Sequence, residues 1–139
     1  MASGEKQIHV TVITPARAVF DADARALVAP AFDGELGVLP GHAAFLGLLG
    51  TGALRVTRAD GKLDCFAVRG GFLQINENNA TILTQEAARV DEMDPAKLDA
   101  ELAEAKAQQA LSDEEVAAKE RKLAWIEARR KALAAVRAG

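Results

Sequence analysis

The feature that most constrains the fold is a change of composition near residue 91. From Asp91 onward the chain has no glycine until its last residue, and alanine, glutamate, lysine and leucine dominate. The preceding residues form short apolar runs separated by turn signals that contain glycine or asparagine. Short runs between frequent turns are typical of strands, whereas a long stretch of helix formers is typical of helices. We therefore predict a β domain over residues 1–89 and an α-helical domain over residues 90–139.

The first domain has the pattern of an all-β fold. Ile8, Val10 and Val12 alternate with polar residues, which is the period of a half-buried strand. Further apolar runs occupy residues 26–29, 53–57, 65–68, 72–75 and 81–83, and the turn signals between them are Asp60-Gly61, Gly70-Gly71 and Asn78-Asn79. Many short strands at this spacing favour a sandwich or barrel of about eight to ten strands.

The second domain has the start and stop signals of two helices. Asp94 is a capping residue directly before Pro95, so the first helix is expected from Pro95 to about Leu111. Ser112 and Glu115 then match a capping box, which starts a second helix that runs to about Arg137. The short break between the helices favours an antiparallel hairpin.

Charge is distributed unevenly along this hairpin. Residues 90–115 contain nine acids and two bases, whereas residues 116–139 contain seven bases and two acids. The pattern suits a solvated hairpin whose charges complement the helix dipoles, and it equally suits a basic helix that meets an acidic partner. Trp125 lies off the apolar stripe of the second helix, so it is either a flank of the hairpin core or an exposed anchor for a partner.

Several function classes are disfavoured by composition. A net charge of −3, five Phe, one Trp and no Tyr argue against a nucleic-acid binder. The single cysteine, Cys65, is expected to be a buried small residue in a reducing compartment. We expect a soluble chain, because the sequence contains no run of about 20 apolar residues.

No catalytic or metal-binding pattern is present in the sequence. His9 and His42 are the only histidines, and His9 alternates in a strand as a structural or surface residue. The spacings typical of metal ligands are absent, and the two serines are not in a nucleophile context. We therefore expect neither an enzyme nor a metal site.

The segment F-D-G-E-L-G-V-L-P-G-H at residues 32–42 has a backbone shaped for a particular turn. Its three glycines and Pro40 set the backbone angles, and it places Glu35 and His42 in one loop. It lacks the Gly-Lys-Ser/Thr ending and the following helix of a phosphate loop. From the residues alone, His42 is a loop residue that caps backbone groups.

Three motifs resemble those of a known family. The opening I-H-V-T-V-I-T-P, G-E-L-G-V-L-P-G-H-A at residues 34–43 and R-G-G-F-L-Q-I at residues 69–75 resemble the epsilon subunit of bacterial F-type ATP synthase. The resemblance implies a ten-stranded β-sandwich followed by a two-helix hairpin. It also implies a non-catalytic rotor subunit that couples proton flow to ATP synthesis. Such a subunit binds the gamma subunit and lies on the proteolipid ring, with Glu35 and His42 facing the ring.

The resemblance also implies regulation through the hairpin. In this family the hairpin can extend into the catalytic head, formed by alpha and beta subunits, and inhibit ATP hydrolysis. The candidate contacts in this chain are the basic residues Arg121, Lys122, Arg129, Arg130 and Lys131. The subunit would lie at the cytoplasmic face of the bacterial inner membrane and associate with the membrane only through the complex.

One alternative function is nucleotide sensing. Some family members bind ATP through a motif at the start of the first helix, which here reads Met93-Asp94-Pro95-Ala96-Lys97-Leu98. Asp94 matches this motif, but Lys97 replaces an arginine and cannot reproduce its planar fork. A generic adaptor domain with a helical docking tail is the third interpretation.

Overall fold

A computed structural model describes residues 6–138. The strands are β1 (Ile8–Ile13), β2 (Ala18–Ala31), β3 (Gly34–Val38), β4 (Phe45–Arg58), β5 (Leu63–Asn76), β6 (Asn79–Leu83) and β7 (Ala87–Arg89). A short 3-10 helix (Val90–Glu92) leads into the helices α1 (Pro95–Ala107) and α2 (Asp113–Ala138). A β domain followed by a two-helix hairpin is therefore confirmed.

Five of the strands close into a flattened barrel. Their order is β1-β6-β5-β4-β2, and β1 pairs again with β2 to close the ring. The β1–β6 pair is parallel and the other pairs are antiparallel, while β3 adds to β2 and β7 adds to β5. The inner side chains form one core in which Ile8, Leu54, Phe66 and Ile82 are fully buried.

The expected count of ten strands is wrong for the part of the chain that the structure describes, which has seven. The reason is that β2, β4 and β5 are each 14 residues long and continue through bends. Gly70-Gly71 in particular is a bend within β5 rather than a turn between strands, with φ of +64° and +119°. A Cβ atom at Gly71 would overlap the Leu83 carbonyl and lie 2.9 Å from Thr84 Cα, so only glycine fits there.

The predicted helix starts are confirmed. Asp94 Oδ1 accepts a hydrogen bond from the Ala96 N–H at 3.0 Å. Ser112 Oγ accepts from the Glu115 N–H at 3.1 Å, and Glu115 Oε1 accepts from the Ser112 N–H at 3.2 Å, which completes the capping box.

The first helix is shorter than expected, because it ends at Ala107 rather than near Leu111. Gln108 already has an extended backbone, with φ −67° and ψ 129°. The ammonium of Lys119 on α2 donates to the carbonyls of Lys106 and Gln108 at 3.1 and 2.9 Å, and so satisfies groups that the helix leaves open. This contact and the Arg129–Glu101 ion pair show that α1 and α2 run antiparallel.

Helix α2 packs against β4 and β5, and α1 packs mainly against α2. Within residues 6–138, no helix is long and apolar enough to cross a membrane.

Candidate functional site

The long strands β4 and β5 form two outer faces of the barrel, and these faces differ in exposure. On one side of the Gly70-Gly71 bend, the outward residues of these strands are exposed, and on the other side they lie under α2. The barrel therefore has one face that the chain covers itself and one face that it leaves open.

The open face is apolar. We use this name for the outer surface formed by Leu46, Leu48, Phe72 and Leu83, whose exposed fractions lie between 43% and 70%. Phe72 stands opposite Leu48 on one neighbouring strand and opposite Leu83 on the other, so these three side chains form a row across the sheet. An apolar row of this kind is typical of a surface that binds another protein.

The covered face is lined with small residues. Cys65, Ala67 and the partly buried Ala53 meet Trp125 and Ala132 of α2, together with Ala128. The expectation that Cys65 is buried is confirmed: its thiol donates to the Ala132 carbonyl at 3.4 Å, and burial raises its pKa to about 11. The thiol is therefore protonated at neutral pH.

Trp125 is the largest side chain of this contact. It is only 7% exposed, so the interpretation of Trp125 as an exposed anchor is wrong in this arrangement. The guanidinium carbons of Arg69 and Arg129 lie 6.0 and 5.3 Å from its ring centroid. Arg129 also binds Glu101 of α1 at 2.7 Å, and its buried Nε has no hydrogen-bond partner.

The residues expected at a ring contact do not lie in one loop. Glu35 is in β3, where it stands opposite Pro30 and lies 3.4 Å from Arg55. His42 lies in the turn that follows β3, where its Nδ1 bonds the Ala43 carbonyl at 2.7 Å. The segment is thus a short strand between two turns.

Its second turn is fixed to a neighbouring hairpin. The Gly41 N–H donates to Asn78 Oδ1 at 2.7 Å, and Asn78 itself sits at φ +64° in the β5–β6 turn. The His42 ring stands edge-on to Phe45, with the ring centroids 6.3 Å apart. These contacts hold His42 in a defined position, whereas the preceding turn exposes Phe32 to 81%.

Four of the five basic candidates on α2 are exposed: Arg121, Lys122, Arg130 and Lys131. The fifth, Arg129, is engaged by Glu101 and Trp125 as described above. Arg130 and Lys131 also line the edge of an open cleft of about 680 Å³ between the start of α1 and the end of α2, whose apolar wall includes Leu98 and Leu133.

The candidate nucleotide residues share a second cleft. Asp94 and Lys97 line a space of about 540 Å³ together with Arg89, Glu101 and Arg129. One Asp94 oxygen already caps α1. Positive and negative side chains are thus mixed in this cleft.

A polar cluster lies on the outer side of β1 and β2. His9 is placed between Asp21 and Asp23, and its Nδ1 lies 2.8 Å from Asp23. The hydrogen bond to Asp23, and then the contacts with Asp21, raise the pKa of His9. Among the residues that the structure describes, no three His, Cys, Asp or Glu side chains are placed to hold a metal ion.

Sequence reasoning missed the open face and Phe32. The open face could have been recognised from the run F-L-G-L-L at residues 45–49, because its leucines fall on both sides of a strand. Apolar residues on both sides are typical of a strand whose two faces are both covered.

Comparison with known proteins identifies the family. Residues 7–90 match the model of the β-sandwich domain of the ATP synthase delta/epsilon chain. The chain belongs to this family. It is 44% identical over 98 residues to the ATP synthase epsilon chain of Synechococcus sp. strain JA-2-3B'a(2-13), covering 70% of this chain and 71% of the relative.

The likeness to this family extends through the helices. The epsilon chain of Bordetella avium strain 197N is 34% identical over 136 residues, which cover 95% of each chain. A chain in the structure of the Euglena gracilis mitochondrial ATP synthase (OSCP/F1/c-ring, rotational state 1) superposes with a TM-score of 0.82 and 31% identity, covering 91% of this chain and 81% of that one. Membership of the epsilon family confirms that the chain is a non-catalytic subunit.

Proposed function

We propose that this chain is a rotor subunit of a proton-translocating F-type ATP synthase, in which it couples proton flow to ATP synthesis and restrains ATP hydrolysis. The observation that carries the proposal is the apolar open face on a barrel of the epsilon family. Its leucines and Phe72 are exposed apolar side chains that another subunit would bury, while the covered face is already occupied by α2.

The gamma subunit is the proposed partner of the open face. Introducing a carboxylate into the centre of an apolar interface leaves a charge without compensation, and central aromatic contacts are worth about 2 kcal/mol or more. Phe72→Asp should therefore weaken binding to gamma by at least about 30-fold. The assay is recovery of gamma by the tagged chain, together with titration of the purified proteins.

The matched control for this test is Leu111→Asp. Leu111 is an exposed leucine between the two helices and lies outside the open face. It should leave gamma recovery unchanged, and circular dichroism should show that both variants fold. Normal binding of a folded Phe72→Asp chain would rule out the open face as the gamma site.

The proteolipid ring is the proposed partner of Glu35 and His42. Glu35→Gln and His42→Ala should lower ATP synthesis per proton translocated. They should leave the barrel folded, because the exposed Glu35–Arg55 pair contributes less than about 1 kcal/mol. The measurement is synthesis and proton leak in vesicles that contain the holoenzyme, with Glu104→Gln on α1 as the control. If a chain with both Glu35→Gln and His42→Ala supports as much ATP synthesis per proton translocated as the native chain, this contact is contradicted.

Inhibition of hydrolysis is proposed to depend on the hairpin. Its basic residues would meet acidic surfaces of the alpha and beta subunits once α2 leaves the covered face. Deleting residues 90–139 should raise ATP hydrolysis by the holoenzyme, and the truncated chain should still bind gamma. Equal hydrolysis with and without the hairpin would show that it does not inhibit.

Nucleotide sensing is a second candidate function, and the cationic side chains of Arg89, Lys97 and Arg129 along the Asp94–Lys97 cleft favour it. Lysine and arginine side chains donate charge-assisted hydrogen bonds to phosphate oxygens. Lys97→Ala should weaken ATP binding, as measured by calorimetry on the full chain, and Lys106→Ala at the far end of α1 is the control. Absence of saturable heat up to millimolar ATP would exclude this role.

A further inference from the structure

The R-G-G segment at residues 69–71 places one charged side chain at the boundary between the two faces. Arg69 is the last residue before the bend in β5, and its N–H donates to Thr84 Oγ1 and to the Glu86 carbonyl, both at 3.0 Å. Its guanidinium lies 3.3 Å from the Glu86 carboxylate. The backbone and the side chain of Arg69 are therefore both anchored to the barrel.

This anchored side chain reaches the hairpin at Trp125. Two cations lie near the Trp125 ring, but Arg129 belongs to α2 itself and moves with it. Arg69 belongs to β5, so its position 6.0 Å from the ring centroid makes a cation–π contact between barrel and helix.

The rest of the contact supplies little specific attachment. Around Trp125 the packed residues are mainly small, including Ala67, Ala128 and Ala132, and small side chains bury little area. The free energy of docking α2 is therefore small enough for a single contact to change the docked fraction.

We propose that Arg69, held by Glu86, is the latch residue that keeps α2 docked through Trp125. This inference rests on the movement of the hairpin in the proposed function. Loss of the latch lets α2 leave the covered face more often, while the barrel stays folded.

The reactivity of the Cys65 thiol can be used to measure this movement. Cys65 is its single cysteine, and the backbone of α2 lies directly over the thiol. While α2 is docked, the thiol is shielded and protonated, and once α2 leaves, the thiol regains an ordinary pKa of about 8.5. The rate at which Cys65 of the full chain reacts with an aromatic disulfide reagent at pH 8 therefore measures the undocked fraction.

Arg69→Gln should increase this rate about two- to fivefold, the range expected for a cation–π contact at a partly exposed site. Glu86→Gln should shift the rate in the same direction by less. Arg17→Gln, which removes an exposed arginine from the turn between β1 and β2, is the matched control and should leave the rate unchanged.

A double-mutant cycle separates the latch from a general loss of stability. In a Trp125→Leu background, Arg69→Gln should no longer change the Cys65 rate, because the contact has already been removed. An undiminished effect in that background, or no effect in the native background, would overturn the latch. The rate of Cys65 modification in the native chain is also compared with the rate at which the whole barrel unfolds in urea. If the two rates are equal, the hairpin does not leave the barrel independently, and both the proposed inhibition and the latch are contradicted.

Discussion

Substitutions at Gly70 and Gly71 should lower the free energy of unfolding by different amounts, because the two glycines of this bend are required for different reasons. Gly70 has φ +64°, and the nearest atom to an added Cβ is 4.0 Å away, so Gly70→Ala adds only backbone strain. That strain is about 1–2 kcal/mol, partly offset by about 0.4–1 kcal/mol of reduced freedom in the unfolded chain. The net loss of unfolding free energy is about 1 kcal/mol.

Gly71→Ala combines strain with a steric clash. At φ +119° an alanine costs about 1–3 kcal/mol, and the overlap of its Cβ with the Leu83 carbonyl forces a backbone shift of similar cost. The expected loss is about 4 kcal/mol. With a urea m-value of about 1.5 kcal/mol/M, the unfolding midpoint should fall by about 2.7 M for Gly71→Ala and by about 0.7 M for Gly70→Ala.

The assay is urea unfolding of both variants followed by far-UV circular dichroism at one pH. Equal midpoints for the two variants would refute the argument, because they would show that the approach of β6 to Gly71 does not constrain the bend. A large loss at Gly70 would refute it as well.

Three further predictions concern local contacts. Asp94→Ala removes the cap of α1 and should lower stability by about 1 kcal/mol, with a loss of helical signal in circular dichroism and no change in barrel contacts. Asp64→Asn should destabilise the barrel by about 2–3 kcal/mol in urea unfolding, because the buried carboxylate accepts hydrogen bonds from both Arg58 and Arg89. His9→Gln should cost stability mainly at low pH. Since the folded state raises the His9 pKa, its contribution is fully present below about 6.5 and is lost as pH rises through the raised value, so the deficit measured at pH 5.5 should exceed that at pH 9.

Local signals in the sequence were reliable where the interaction itself is local. The cap at Asp94 and the capping box of Ser112 and Glu115 join residues two or three positions apart, so their presence could be recognised in the sequence. The order of β domain and hairpin followed from the composition in the same way.

The remaining features depend on distant parts of the chain. A glycine pair makes a turn or a bend according to what lies beside it, and at Gly71 that neighbour is the Leu83 carbonyl on another strand. Closure of the barrel through β1 and β2 and the position of Trp125 against the sheet are also long-range. Glu35 was expected in a loop because its glycine neighbours suggested one, yet pairing with β2 makes the segment a strand.

The continuity of β4 has a consequence for how this chain tolerates insertions. Outward and inward positions alternate within each half of β4, so one added residue between the halves reverses every position on one side of it. An insertion at Gly50 would turn Leu46 and Leu48 inward if the half of the strand under α2 kept its register, and would misplace Ala53 if the other half did. Length variation should therefore be confined to the connections, such as the Asp60-Gly61 turn, and the spacing between Leu48 and Ala53 should be as restricted as the residues themselves.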